Sequence, residues 1–491
     1  MAETKSIFQN KLNLILVGII LFGTIIRFYF FNLVKNQAHW WDSLAYGSLA
    51  KNMIYHRWDN LPFIMHEAVI RPPLLPVVWS WLISLGASDY AVIILTNIIP
   101  SIISIYLIYL IGKEMYNKKV GLVAAIFASI SWIHLFYSIR IMTDIPSMCL
   151  VLASIYFFVK SYESLNLKNW LFSVLLLSLA VLFRYSHAVM AVAYIIFLIF
   201  VHKTSLFKSK KFWIGGIIGA IPLILFILIN LFAYGSLLPA TSEYTSSASE
   251  KTSFGWYTIG FINYILMSPA VFLFYFGILL ALFKVGMSYG FISKHKELRM
   301  HLLNLILLIF VLSFFIFGIK ASEDRYLLGI SSVLFIMPAV ALLYLYKIIS
   351  KYKKEIGVAV CIALIAWSIY AQISFANGLI LDKKESYKEM KEAYEWIKYN
   401  TPEEAIIVGD WGEPYAIYYA DRDVQIWPED LDFSNFTLEA DYVILTAVHQ
   451  PNEKVVSYVN DLAENEIVIP IKVFFFDSAQ TQPAVIIYKK L

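Results

Sequence analysis

Eight ionisable residues lie at turns between or beside apolar stretches of this chain: Asp42, Arg71, Arg140, Asp144, Arg184, Glu323, Asp324 and Arg325. An ionisable group beside hydrocarbon is costly, so it is a functional candidate by default. Arginines and carboxylates gathered at a lipid surface suit one class of ligand, a lipid bearing phosphate at the interface. A guanidinium grips phosphate through two parallel hydrogen bonds, and its charge does not titrate away. A neighbouring carboxylate takes the proton of an attacking hydroxyl. Each residue also has a plainer use. Asp42 and Asp144 stand where they would cap helices, and Arg71, Arg140, Arg184 and Arg325 would anchor helix ends by snorkelling. Glu323-Asp324 also reads as a solvated turn.

For these side chains to meet, the chain must cross a membrane repeatedly. Hydrophobic residues make up 59% of the 491, charged residues 15%, and the mean hydropathy is +0.68. A soluble domain is nearer one-quarter charged, so lipid is the main solvent here. The net charge of +4 is too small to argue for nucleic acid. Runs long enough to span fall at roughly 12–34, 90–111, 120–138, 145–160, 169–183, 187–202, 212–234, 262–283, 301–319, 326–346 and 356–377. The expected fold is an all-α polytopic membrane domain of about 11 transmembrane helices, residues 1–380, followed by a small soluble α/β domain, residues 381–491. Cytoplasmic loops collect Lys and Arg. With Lys5 and Lys11 inside, the inside loops hold, among others, Lys113, Lys118 and Lys119, then Lys203, Lys208, Lys210 and Lys211, then Lys351, Lys353 and Lys354. The opposite loops are poorer throughout. The N-terminus is then cytoplasmic, and both the eight residues and the C-terminal domain are extracytoplasmic.

The first outer loop, residues 35–89, holds two apolar stretches, Ser43 to His56 and Leu74 to Leu85, expected as surface helices. The polar run 241–250 reads as a mobile loop. In the C-terminal domain Tyr387, Met390, Tyr394 and Ile397 mark one face of a helix. Strands are expected at Ala405–Val408, Val424–Trp427, Tyr442–Thr446, Ile469–Phe476 and Ala484–Tyr488, with helical stretches near Glu413–Tyr419 and Asn452–Asn460. Gly409-Asp410-Trp411-Gly412-Glu413 reads as a turn after a strand, and Asn435-Phe436-Thr437 is a glycosylation acceptor triplet. Cys149 and Cys361 lie in apolar runs as small hydrophobes. No His spacing suggests a metal site, and there is no phosphate-binding glycine loop.

Three strings in order carry a resemblance: Trp41-Asp42-Ser43-Leu44-Ala45-Tyr46 running on to Asn52, Arg71-Pro72-Pro73-Leu74-Leu75-Pro76, and Thr143-Asp144-Ile145-Pro146. Together they resemble the GT-C membrane glycosyltransferases, in the branch of the protein O-mannosyltransferases and the lipid A aminoarabinose transferase. Glu323-Asp324-Arg325-Tyr326-Leu327 and the segment Tyr387 to Asn400 also have counterparts there. The likeness is close over about the first 160 residues and rests on topology beyond. It implies transfer of a sugar from a polyisoprenyl-phosphate donor to a protein, glycan or lipid acceptor on the outer face, with inversion. It further implies Asp42 as catalytic carboxylate, Asp144 as a second acid near the sugar, and Arg71 on the donor phosphate, with Arg184, Arg325 and Arg140 as further phosphate ligands. Many relatives carry two adjacent acids where this chain has Asp42-Ser43, so no metal is placed; Asp59 and Glu67 are further acids of the same loop. Three alternatives stand beside this reading, one of them a membrane scaffold whose soluble domain recruits partners, which leaves the first-loop pattern unexplained. An oligosaccharyltransferase would need an Asp-x-Asp-type pair and a larger soluble domain. A transporter or flippase of lipid-linked sugars would show internal repeats and charges at midmembrane.

Overall fold

A computed structural model describes residues 2–237, 239, 260–292, 294–319, 323–409, 411–427, 438–449 and 452–491. The polar run 241–250 and the Asn435-Phe436-Thr437 triplet lie outside these residues. The chain forms two compact units. One comprises residues 1–35, 69–75 and 85–381, and the other 36–68, 76–84 and 382–491.

The first unit is helical and multi-pass. Among the described residues eight helices are long and apolar enough to cross a membrane: Lys11–Val34, Asp89–Met115, Asp144–Ser161, Tyr185–Lys208, Ala270–Met287, Lys296–Phe317, Asp324–Ile349 and Lys354–Asp382. Two bent pairs, Lys118–Ile130 with Trp132–Ser138 and Lys210–Gly219 with Ile221–Tyr234, raise the number to ten. The eleventh expected span is the shorter apolar helix Leu167–Phe183, which stops because Arg184 leaves helical geometry with φ −160° and ψ 107°. The expected run from residue 262 is broken at Met267–Pro269, so its long helix starts only at Ala270.

Polar groups at membrane depth need partners, because there is no water to take them. The 54° bend at Ser131 strips an intrahelical partner from the Trp132 N–H, and Gln372 Oε1 accepts it at 2.7 Å. The Gln372 amide in turn donates to the carbonyls of Ile265 and Leu266 at 2.9 and 2.8 Å. Arg27, which sequence inspection did not single out, is fully buried in the first span. It donates to Ser101 Oγ at 2.7 Å and to the Gly23 and Ser129 carbonyls at 2.9 and 3.1 Å.

The second unit is built on a five-stranded sheet: β1 Ile407–Gly409, β2 Gln425–Ile426, β3 Tyr442–Thr446, β4 Val468–Phe475 and β5 Pro483–Lys490. Its order is β2-β1-β3-β5-β4, parallel among the first three and antiparallel from β3 onward. All five expected strands are present, at slightly shifted bounds. Helix Glu453–Glu464 lays Val455, Val459 and Leu462 into a core with Val408, Val443, Leu445 and Val468. Helix Lys388–Asn400 buries Met390, Ala393, Tyr394 and Ile397, while Tyr387 sits at its cap in the left-handed region. The loop residues of this unit are helical at Trp41–Tyr55 and over most of Leu74–Ser84, as expected, and also in Pro62–Ile70, which was not.

Within the membrane unit, helices Ile99–Met115 and Lys118–Ile130 meet at a glycine pair. A Cβ on Gly121 would lie 2.4 Å from the Tyr109 carbonyl oxygen, and one on Gly112 would lie 2.9 Å from the Gly121 Cα. These are backbone contacts that cannot yield cheaply. Gly121→Val is expected to cost about 1–3 kcal/mol by overpacking, read as a lowered thermal midpoint in detergent. Gly18→Ala, where nothing lies within 4 Å, should leave that midpoint unchanged or raised.

Candidate active site

The membrane unit brings Arg71, Arg140, Asp144, Arg184 and Arg325 to one end of its bundle. Helix Trp132–Ser138 ends there, and the chain turns through residues 139–143 into helix Asp144–Ser161. Asn97, in a π-helical turn of the second span, holds that turn by donating to the Met142 carbonyl at 3.0 Å. The Thr96 hydroxyl fixes Asn97 by donating to its Oδ1 at 2.7 Å. The cap of the new helix is Thr143, not Asp144. Asp144 lies in the first turn, where the helix dipole favours negative charge, and its carboxylate is spent on arginines. Oδ1 accepts from Arg184 Nη1, and Oδ2 faces Arg325 Nη1 at 3.9 Å. Asp144 is 1% exposed.

Arg184 terminates helix Leu167–Phe183, so the guanidinium leaves the helix axis toward Asp144. It lies 4.8 Å over the ring of Tyr326, which stacks on Phe315 at 5.0 Å. Arg325 also pairs with Glu323, and Tyr137 donates to Asp324 Oδ1 at 3.0 Å. The Glu323-Asp324 dipeptide is therefore part of this network rather than only a solvated turn. Tyr185 donates to the Arg71 carbonyl at 3.1 Å, which ties the Arg71-Pro72-Pro73 segment to the residue after Arg184. Arg140 is buried, lies 3.8 Å over the Phe136 ring and donates to the Phe136 carbonyl at 2.6 Å. A guanidinium carries five N–H donors. Asp144 thus fixes Arg184 while using part of its capacity, an arrangement able to hold an anion with one carboxylate alongside. Asn97, Tyr137, Tyr185 and Tyr326 were not foreseen. Their only signal was polarity in apolar surroundings or adjacency to an arginine.

Asp42 belongs to the second unit. Helix Trp41–Tyr55 begins one residue before it, with Trp40 at the cap position, so Asp42 is a first-turn residue rather than the cap. Trp41 stacks on Trp411 at 4.7 Å, and Trp411 on His449 at 5.4 Å. The turn that holds Trp411 is thus more than a plain connection. Burial, with the charges of Glu67 and Asp423, pushes Glu413 above the ordinary carboxylate range. Glu67 is itself buried, and Asp59 accepts from Asn52 at 3.0 Å. Further along the same helix Lys51 lies 3.7 Å from Asp421, which Arg57 approaches to 3.6 Å and Lys398 to 2.5 Å. Among the described residues no three His, Cys, Asp or Glu side chains gather as a metal site.

The fold is similar to that of solved membrane glycosyltransferases, and one family model matches part of the chain. The family model of dolichyl-phosphate-mannose-protein mannosyltransferases matches residues 70–229, which include Arg71, Arg140, Asp144 and Arg184. Among solved structures, ArnT from Cupriavidus metallidurans in the apo state is similar at a TM-score of 0.67 and 10% identity, covering 100% of this chain and 99% of that one. ArnT bound to undecaprenyl phosphate is similar at 0.63 and 10% identity, covering 96% and 97%. The Archaeoglobus fulgidus oligosaccharyltransferase tethered to an acceptor peptide is similar at 0.62 and 14% identity, covering 97% and 74%. No curated protein matches the chain by sequence.

Two outcomes are expected from this geometry. Arg184→Ala leaves the buried Asp144 carboxylate with only the longer Arg325 contact and should cost roughly 3 kcal/mol, read by thermal unfolding in detergent, while Asp144→Asn/Arg184→Gln should recover part of that loss. The second concerns Asp421. Burial alone would raise it, but the hydrogen bond from Lys398 and the charges of Lys51, Lys398 and Arg57 hold it below the ordinary carboxylate range. A depressed carboxylate contributes stability that is complete above its unfolded value of about 4 and is lost as pH falls through the lower folded value. Asp421→Asn should therefore melt earlier than wild type at pH 7, with the gap closing as melts are repeated below about pH 4.

Proposed function

We propose that the protein transfers a glycosyl group from a polyisoprenyl-phosphate sugar to a hydroxyl-bearing protein, glycan or lipid acceptor on the extracytoplasmic face. The observation that carries this reading is the buried Asp144 carboxylate with Arg184 and Arg325 upon it, at one end of a bundle with the GT-C fold. The structures of ArnT with undecaprenyl phosphate and of the archaeal oligosaccharyltransferase with a dolichol-phosphate support a lipid phosphate as the carrier. The orientation with the N-terminus cytoplasmic rests on the Lys-rich loops.

In this reading Arg184 and Arg325, with Arg71 and Arg140, grip the donor phosphate, and Asp144 holds Arg184 and Arg325 in place. The acceptor oxygen attacks the anomeric carbon from the face opposite the phosphate. The new C–O bond forms as the anomeric carbon–phosphate oxygen bond breaks. The bonding pair leaves with the phosphate, whose charge the guanidinium groups offset. The acceptor proton passes to the Asp42 carboxylate. The likeness to the archaeal oligosaccharyltransferase favours a second reading, transfer of a whole glycan to a peptide.

The test is transfer of radiolabelled sugar from polyprenyl-phosphate mannose, glucose or aminoarabinose to membrane extract by the purified protein. Asp42→Asn should lower kcat by about 10²–10⁴-fold, the range of a lost general base. Arg184→Lys should act mainly on the donor KM, since a point charge replaces a bidentate fork. Full activity of Asp42→Asn removes Asp42 from the mechanism. Transfer of a lipid-linked glycan to an Asn-containing peptide, with none from a monosaccharide donor, selects the second reading.

A further inference from the structure

We infer that the C-terminal domain is the cradle of the Asp42 helix, and that Asp421 is the positioning residue that locks the helix into it. The inference rests on the role given to Asp42 above. It assigns a catalytic duty to a domain whose sequence carries no chemistry of its own.

Helix Trp41–Tyr55 is only fifteen residues long, a length at which isolated helices are marginal in water. Its fixation must come from packing, and the C-terminal domain supplies contacts from just ahead of the helix as far as Lys51. Ahead of the helix, the His39 N–H donates to the Tyr419 hydroxyl at 2.8 Å, and the two rings stack at 6.3 Å. At its first turn Trp41, the residue before Asp42, stacks on Trp411. At its middle Gly47 admits Tyr418 so closely that a Cβ would meet that ring at 2.5 Å. Leu49 then joins Ile417 and Ile64 in a small buried core. Lys51 closes the sequence: it donates to the Tyr418 carbonyl at 2.6 Å, lies 4.2 Å over the Tyr418 ring and pairs with Asp421.

Asp421 has the geometry of a latch. It ends the π-helical turn Ala416–Ala420 in the left-handed region, φ 53°, which turns its carboxylate toward three cations from separate elements. Lys51 comes from the Asp42 helix, Arg57 from the segment after it, and Lys398 from helix Lys388–Asn400. One carboxylate therefore sets the rotation and register of the helix against the domain, and with them the direction in which the first-turn Asp42 points. A displacement of about an ångström at a reacting group costs on the order of a hundredfold in rate, so loss of the latch should appear in turnover rather than in donor affinity.

The experiment uses the full-length protein in detergent and two readouts, amide hydrogen exchange along residues 41–55 and steady-state transfer kinetics. Asp421→Asn, and Lys51→Met from the other side of the latch, should each raise exchange in that helix while spans such as Asp324–Ile349 keep their protection. In both, kcat should fall by about 10–100-fold with the donor KM held within about twofold. Asp421→Glu should restore most of kcat. Unchanged exchange in both variants overturns the cradle. Raised exchange with unchanged kcat, or a loss confined to donor KM, overturns the positioning role. If Asp42→Asn is itself fully active, the role of Asp42 fails and the catalytic half of the inference fails with it, while exchange in residues 41–55 still decides the cradle.

Discussion

Taking a carboxylate out of water beside hydrocarbon costs several kcal/mol unless cations come with it. Asp144 meets that condition through Arg184 and Arg325, and the membrane unit is organised around doing so. Arg184 arrives because helix Leu167–Phe183 stops early, and Arg325 because helix Asp324–Ile349 starts beside the same point. The π-helical turn holding Asn97 sets the turn that presents Asp144. Three helix ends and a local irregularity thus share one electrostatic requirement. That is why these charges collect at helix termini.

The same logic governs the backbone. The bend at Ser131 is tolerable only because Gln372, on the last membrane helix, accepts the N–H left over and donates to two further carbonyls. The kinked helix, the segment at residues 265–266 and the last span are thereby joined by one amide side chain. A hydrophobic residue at position 372 would leave three polar groups without these partners, which a bilayer core does not forgive.

Much of this architecture was legible in the chain. Each expected span falls on helical residues, one of them broken at Met267–Pro269 and two bent, because runs of apolar residues have no other use of that length, and five β-branched runs became five strands. The expected span at 169–183 is the helix Leu167–Phe183, which ends at Arg184 as the sequence indicates and is shorter than the other crossing helices. The residues of the charged bundle end were named one by one. Their pairing was not, since Asp144 and Arg184 are 40 residues apart and no local periodicity links them. Trp411 was read as a plain turn because the residue it stacks on, Trp41, lies near the other end of the sequence. Asn97 and Arg27 gave single polar letters within apolar runs, a signal too sparse to assign without seeing their partners. Pro62–Ile70 was missed because proline and short length hid a helix.

Arg27 has a consequence for how the chain is made. It is fully buried among neutral acceptors, two of which, Ser101 and the Ser129 carbonyl, belong to later helices. Synthesis delivers the first span before either exists. During that interval an arginine sits in the bilayer or the insertion machinery with only the Gly23 carbonyl of its own helix, at a cost of roughly 3 kcal/mol at a helix centre and less toward its ends. The long apolar run of Lys11–Val34, with a mean hydropathy of 2.3, offsets that cost. Biogenesis of this protein is therefore a race between retention of the first helix and emergence of the hairpin around Gly112 and Gly121, whose arrival turns a topogenic liability into a tie between helices.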